Sequence, residues 1–282
     1  MVAVLGRQIR GRNELDRVIA QEKRPIIIDR EDEGRHSHDA MRLRILRRDG
    51  IGAVEEATGE GFTFAFSAGS FNMGFGSNGN SGEIGNVHAA ALPGGTRFRI
   101  EHSELLYIGS VSTGAQRGGE LRSPIGFTMP YIMKHLENGK ANKMVVPEQM
   151  NGDVKAAGGE RVHRQSRKHV VVGPENQEFS AGNARSPQQF HVHMSLVEAY
   201  IPMGGMDLYY VSQGRVERVR MEPGDIAVLP SGVPHFVEMF GDKPTFVLMA
   251  SARPIKGDKF LLPFGLDTER MALTDSLIGA VR

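Results

Sequence analysis

Hydrophobic and polar residues alternate with a period of two through much of the chain, the signature of strands packed on one face. Phe62-Thr63-Phe64-Ala65-Phe66 is the clearest case, and Leu43, Ile45 and Leu46 interleave with arginines across 41–48. Ile26-Ile27-Ile28 reads as a buried strand, 169–172 and 177–180 as the strands that open the C-terminal domain, and 246–249 as the strand that closes it. Ile226-Ala227-Val228-Leu229 is a short apolar run between two turns, Met221-Glu222-Pro223-Gly224-Asp225 and Pro230-Ser231-Gly232-Val233-Pro234. Helical spacing is confined to short stretches. Asn13 caps 14–21, Pro130 stands in the first turn of a helix running to Asn138 with Gly139 beyond it, and Asp267 caps an amphipathic helix to about Ala280.

Composition agrees with a turn-rich, mainly β chain: 35 Gly and 14 Pro in 282 residues, with 7% aromatic. That length accommodates two domains, and the polar stretch 138–168 is the expected connection, dividing the chain into 1–150 and 151–282. Its basic residues Arg161, Arg164, Arg167 and Lys168 read as a solvated face or as an anion-holding patch. A formal charge of +1 gives no case for nucleic acid. No apolar run approaches membrane-spanning length, and with no cysteine there is no thiol chemistry, so a cytoplasmic protein is expected. The Gly/Ser/Asn-rich segment 67–85 reads as a mobile loop, with a lid over a pocket as its functional alternative. The charged stretch 29–38, with His36 and His38, reads as a solvated loop.

One stretch carries chemistry. In Phe190-His191-Val192-His193-Met194-Ser195-Leu196-Val197-Glu198 the two histidines share a face of an extended strand, with their ring nitrogens close together. Glu198 has the wrong parity to join them along one unbroken strand, so the chain must turn or bulge within 194–197. The turn at 230–234 then delivers His235. Three neutral imidazoles and a carboxylate suit a divalent transition ion such as Fe, Mn, Ni, Cu or Zn and are poor for Ca or Mg.

The run His191-x-His193-x4-Glu198-x6-Gly205, followed by Gly224-x5-Pro230-x-Gly232-x2-His235, resembles the two motifs of the cupin superfamily. Arg185 stands where the family often has glycine and Met239 where it often has asparagine. The resemblance spans roughly 165–262 and implies a double-stranded β-helix, or jelly-roll, barrel with the ion inside. It also implies a homodimer. Residues 90–111 have the cadence of a first cupin motif, Pro93-Gly94-Gly95 then strand, acid, apolar strand and Gly109. There, however, Arg97, Phe98 and Arg99 replace the histidine pair and only His102 remains. This suggests a bicupin whose first barrel is metal-free, with an unrelated β-rich extension as the alternative.

If Glu198 faces inward, so does Tyr200, and counting from His235 puts Val237 and Met239 inward, with Phe246 or Val247 beside them. With Arg185 these are the expected substrate contacts, and so apolar a wall favours a flat, aromatic or diketone-like small molecule. The first expectation is therefore a non-haem Fe(II) dioxygenase, with Mn, Ni or Zn as other metals and Glu198 able to move a proton. A metal-assisted sugar or sugar-phosphate isomerase or lyase is the alternative, and would need an anion-binding group aimed at the metal. A non-enzymatic metal-binding cupin is the third.

Overall fold

The computed structural model describes residues 23–29, 34–38, 41–47, 54–57, 62–77, 80–101, 105–111, 124–137, 162–163, 169–172, 177–182, 190–212, 215–240, 243–251 and 258–262. The expected helices at 14–21 and 267–280, together with Arg185, His102 and most of the 138–168 connection, lie outside them.

Antiparallel strands build three sheets. The seven-stranded sheet runs β1 (Ile26–Ile28), β17 (Ile226–Leu229), β14 (Leu196–Pro202), β19 (Thr245–Ser251), β12 (Gln177–Gly182), β11 (His169–Val172) and β10 (Val162–His163). Facing it is a five-stranded sheet in the order β16 (Arg215–Met221), β15 (Met206–Ser212), β18 (His235–Met239), β13 (His191–His193) and β20 (Lys259–Leu261). Between the two lies a core of Leu196, Tyr200, Ala227, Leu229, Val247 and Met249 from the first sheet and Met206, Leu208, Met221, Val237 and Met239 from the second. This is the barrel interior.

β14 is buried along its whole length because both of its faces are covered. Leu196, Glu198 and Tyr200 point into the barrel. Val197, Ala199 and Ile201 point the other way, into a second core with Ile226, Val228, Phe246 and Leu248. That second core is completed by the N-terminal half. An eight-stranded sheet runs β2 (Gly34–His38), β3 (Met41–Arg47), β8 (Leu105–Val111), β5 (Phe62–Ser77), β6 (Asn80–Pro93) and β9 (Ile125–Phe127), with β7 (Arg97–Glu101) branching from β5 and β4 (Val54–Glu56) pairing with β7. It contributes Met41, Leu43, Ile45, Phe64, Phe66, Ala89, Ala91, Ile125 and Phe127 to the shared core. The Phe66 and Phe246 rings meet across it with centroids 6.2 Å apart. β1 also crosses from the N-terminal half to pair with β17, Ile26 opposite Val228.

Helix α1 (Met129–Glu137) starts where expected. Thr128 Oγ1 accepts from the Tyr131 amide at 3.4 Å, and His88 Nδ1 accepts from the Met129 amide at 3.3 Å.

The structure corrects three expectations. Segment 67–85 is not a loop but most of the β5–β6 hairpin, because Phe71, Met73 and Phe75 keep the two-residue period through the glycines. Register shifts between Phe66 and Met73 bend β5 there, so that its second half pairs with β7 around a separate core including Phe71, Met73, Phe98 and Ile100. Stretch 29–38 ends in strand β2, paired with β3. Finally, Ile26-Ile27-Ile28 forms strand β1, but of the three only Ile28 is buried, while Ile26 and Ile27 are exposed. The His-x-His strand lies between β18 and β20.

Candidate metal centre

His191 and His193 alternate with Val192 on β13, so Val192 packs outward with Phe190, Phe236 and Phe260 while both rings point into the barrel. β18 pairs with β13 with His235 directly opposite His191, and their ring centroids are 4.4 Å apart. After His193 the chain leaves the five-stranded sheet, turns at Met194–Ser195, and enters β14 of the facing sheet. Glu198 therefore reaches the three histidines from the opposite wall. The parity mismatch in the sequence is resolved by this change of sheet.

Backbone contacts hold the parts in register. The Gly232 amide donates to the His193 carbonyl at 2.7 Å, fastening the turn before His235 to the strand that carries the other imidazoles. Gly232 has φ +88°, a conformation side-chain-bearing residues rarely adopt, which explains glycine in this turn. Asp258, just before β20, accepts hydrogen bonds from the Ser195 hydroxyl at 2.7 Å, the Ser195 amide at 3.1 Å and the Leu196 amide at 3.0 Å. It fixes the corner between His193 and Glu198.

The four side chains are 1–5% exposed, and one donor atom from each lies within 4.8 Å of all the others. His235 Nε2 stands 2.9 Å from Glu198 Oε2, and His193 Nε2 stands 3.5 Å from Glu198 Oε1. Adjacent donors on an ion with bonds of about 2.1 Å are roughly 3 Å apart, so these spacings match a shared ion. The Val233 carbonyl lies 2.9 Å from His235 Nδ1 and accepts its proton, so Nε2 is the ring nitrogen turned to Glu198 and the centre. Among the described residues, neither ring nitrogen of His193 has a hydrogen-bond partner. Nε2 faces the cluster and Nδ1 faces Asp258 Oδ2 at 3.6 Å, the side on which an outer carboxylate orients a metal-binding imidazole. Orphaned nitrogens in a buried site with one carboxylate fit a divalent transition ion well.

Burial by itself would raise the Glu198 carboxyl. The charge of His193, the hydrogen bond and charge of His235, and Lys259 outweigh it and hold Glu198 at about 2. It is ionised, as a ligand must be. The Tyr200 hydroxyl donates to Glu198 Oε2 at 3.2 Å and lies 3.5 Å from His235 Nε2. Burial and the Glu198 charge keep this phenol protonated, with its pKa well above the usual value.

Val237 and Met239 line the same interior as Tyr200, with Val247 beside them, whereas Phe246 faces the shared core. Two polar residues near the centre had no motif to reveal them. Asp258 and Lys259 lie about sixty residues beyond Glu198, and only the pairing of β20 with β13 brings them to it. The N-terminal strand β7 is arranged differently: Arg97 and Arg99 are exposed while Phe98 and Ile100 are buried.

No helix among the described residues is long and apolar enough to cross a membrane. No curated protein matches the chain. Among solved structures, a variant of Bacillus subtilis oxalate decarboxylase aligns at 15% identity over 84% of this chain and 79% of that one, with a TM-score of 0.44. The same enzyme determined at pH 4.6 aligns at 14% identity over 84% and 78%, with a TM-score of 0.42. Residues 178–265 match the model of the family described as Cupin, a span that includes all four donor residues and both motif turns. That part of the chain is a cupin domain.

Proposed function

We propose that the protein is a metal-dependent enzyme acting on a small molecule, and that its reaction is a non-haem Fe(II) dioxygenation. The observation that carries this reading is the convergence of His191, His193, Glu198 and His235 inside an apolar barrel. An Fe(II) ion held by these residues would supply one-electron chemistry toward dioxygen and a positive site for the oxygens of a chelating substrate; Mn(II), Ni(II) or Zn(II) suit the same donors. Four protein donors on a six-coordinate ion would leave about two positions for such oxygens.

The chain's own residues then have definable tasks. Val237 and Met239 keep water from the reacting face and complement a flat apolar substrate. The Tyr200 hydroxyl holds Glu198 Oε2 and is near enough to donate to a substrate oxygen beside it. Glu198 is the group proposed to accept a proton during turnover. Arg185, on the segment that leads into β13, is proposed as a further substrate contact. The division at residue 150 is proposed as one of labour: 1–150, with 90–111 as a degenerate cupin motif, backs the barrel, and 151–282 carries the metal. The resemblance to cupins also supports a homodimer, measurable by light scattering.

Tyr200 supports a second reading. A protonated phenol beside a carboxylate is what an isomerase or lyase needs to move a proton on a metal-held carbonyl substrate. An oxygen electrode separates the two. Fe(II)-loaded protein is offered 1,3-diketones, catechols and hydroxy acids. Substrate-dependent oxygen uptake supports dioxygenation, whereas turnover that persists without oxygen replaces it with the second reading.

A further inference from the structure

Lys259 belongs to the centre by topology. In an antiparallel ladder, residues directly opposite project to the same side. Lys259 is opposite His193 and Leu261 is opposite His191, so both face into the barrel, while Phe260, opposite Val192, packs outward with Phe190 and Phe236. The lysine stem therefore starts beside a proposed metal ligand, on the inward side of an edge strand where Lys259 is half-buried, next to an interior built mainly of Leu, Val and Met side chains.

Such a cation needs a counter-charge. Among the described residues Glu198 and Asp258 make their ion pairs with His193 and His235, and neither makes one with Lys259. Glu198 is already engaged with His235, His193 and Tyr200. The Asp258 carboxylate is turned to the 195–196 corner and to His193. A divalent ion in the centre would add two positive charges against these two carboxylates and leave the interior with a positive excess. Ammonium groups held in apolar surroundings without a dedicated partner are uncommon, and a ligand of opposite charge relieves the cost.

We infer that Lys259 is an anion anchor, and that the substrate is a small carboxylate or similarly anionic oxygen acid that chelates the ion with one end and meets the lysine ammonium with its charge. This deepens the proposed function and rests on its metal centre. It also supplies from β20 the anion-binding group that the sequence offered only at Arg185 or in 161–168.

The test uses the full chain loaded with Co(II), whose absorption reports on ligands entering the centre. Malonate and its neutral counterpart malonamide are titrated against the wild type, Lys259→Met, Lys259→Gln and Lys259→Arg, after metal content and thermal midpoint are measured for each. The anchor predicts that Lys259→Met and Lys259→Gln bind one Co(II) but lose malonate affinity by at least about tenfold, with malonamide unchanged and Lys259→Arg within a few-fold of wild type. Equal malonate affinity in the wild type and in whichever neutral variant folds overturns the anchor and leaves the metal centre standing. Failure of wild-type protein to bind malonate also overturns it. Failure of the wild type to take up Co(II) overturns both.

Discussion

Asp258 Oδ1 accepts the Ser195 hydroxyl hydrogen at 2.7 Å, tying the entrance of β20 to the corner where the chain passes from one barrel wall to the other. The same carboxylate takes the Ser195 and Leu196 amides and lies 3.6 Å from His193 Nδ1. One side chain thus fixes both the spacing between two proposed ligands and the orientation of one of them. Asp258→Ala leaves buried amides without an acceptor, at about 1–3 kcal/mol each before relaxation. The expected result is a loss of about 2–4 kcal/mol in denaturant unfolding and roughly 10–100-fold weaker metal binding. Asp258→Asn keeps one acceptor oxygen and falls between the two.

The shared core predicts cooperative unfolding. Phe246 is fully buried between the seven-stranded and eight-stranded sheets and meets Phe66 there. Phe246→Ala is expected to destabilise by about 3–5 kcal/mol. Because β1 and the core join the halves, one transition should shift as a whole when followed by circular dichroism and by tyrosine fluorescence. Two separated transitions would show that the sheets unfold independently.

His88 supplies a pH-dependent contribution outside the metal centre. Burial, and then the Lys243 charge, lower its pKa, and its Nδ1 must be unprotonated to accept from the Met129 amide at the start of α1. The unfolded chain takes up this proton near pH 6.5 while the folded chain resists it, so more protons are bound in the unfolded state. The stabilisation is therefore complete above about pH 6.5 and is lost as pH falls through the lowered folded value. Subtracting the stability profile of His88→Gln from that of the wild type should leave a difference that shrinks on acidification from pH 7 to pH 5. A difference that grows would reverse the assignment.

Much of the centre was legible in the sequence because it depends on local periodicity. His191 and His193 share a face by parity, Glu198 demands a turn, and glycine at 224 and 232 marks backbone that other residues avoid; both have positive φ. The same counting put Tyr200, Val237 and Met239 among the inward residues, and the interior core contains all three. Sheet order was not legible. It is set by contacts between distant segments, so the central position of β19 and the arrival of Asp258 and Lys259 beside His193 left no mark in the spacing. Glycine also concealed the hairpin of β5 and β6, since Gly74, Gly76 and Gly82 interrupt an alternation that Phe71, Met73 and Phe75 still maintain.

The central claim is that His191, His193, Glu198 and His235 hold one transition ion together, and metal titration tests it most directly. Wild-type protein stripped by chelator and titrated with Co(II) should bind one ion per chain, with the weak visible absorption of a five- or six-coordinate site. His193→Ala and Glu198→Gln should each weaken that binding by more than about 100-fold while keeping the far-ultraviolet circular dichroism of the fold. Sub-stoichiometric uptake by the wild type, or tight binding that survives both substitutions, would contradict the account.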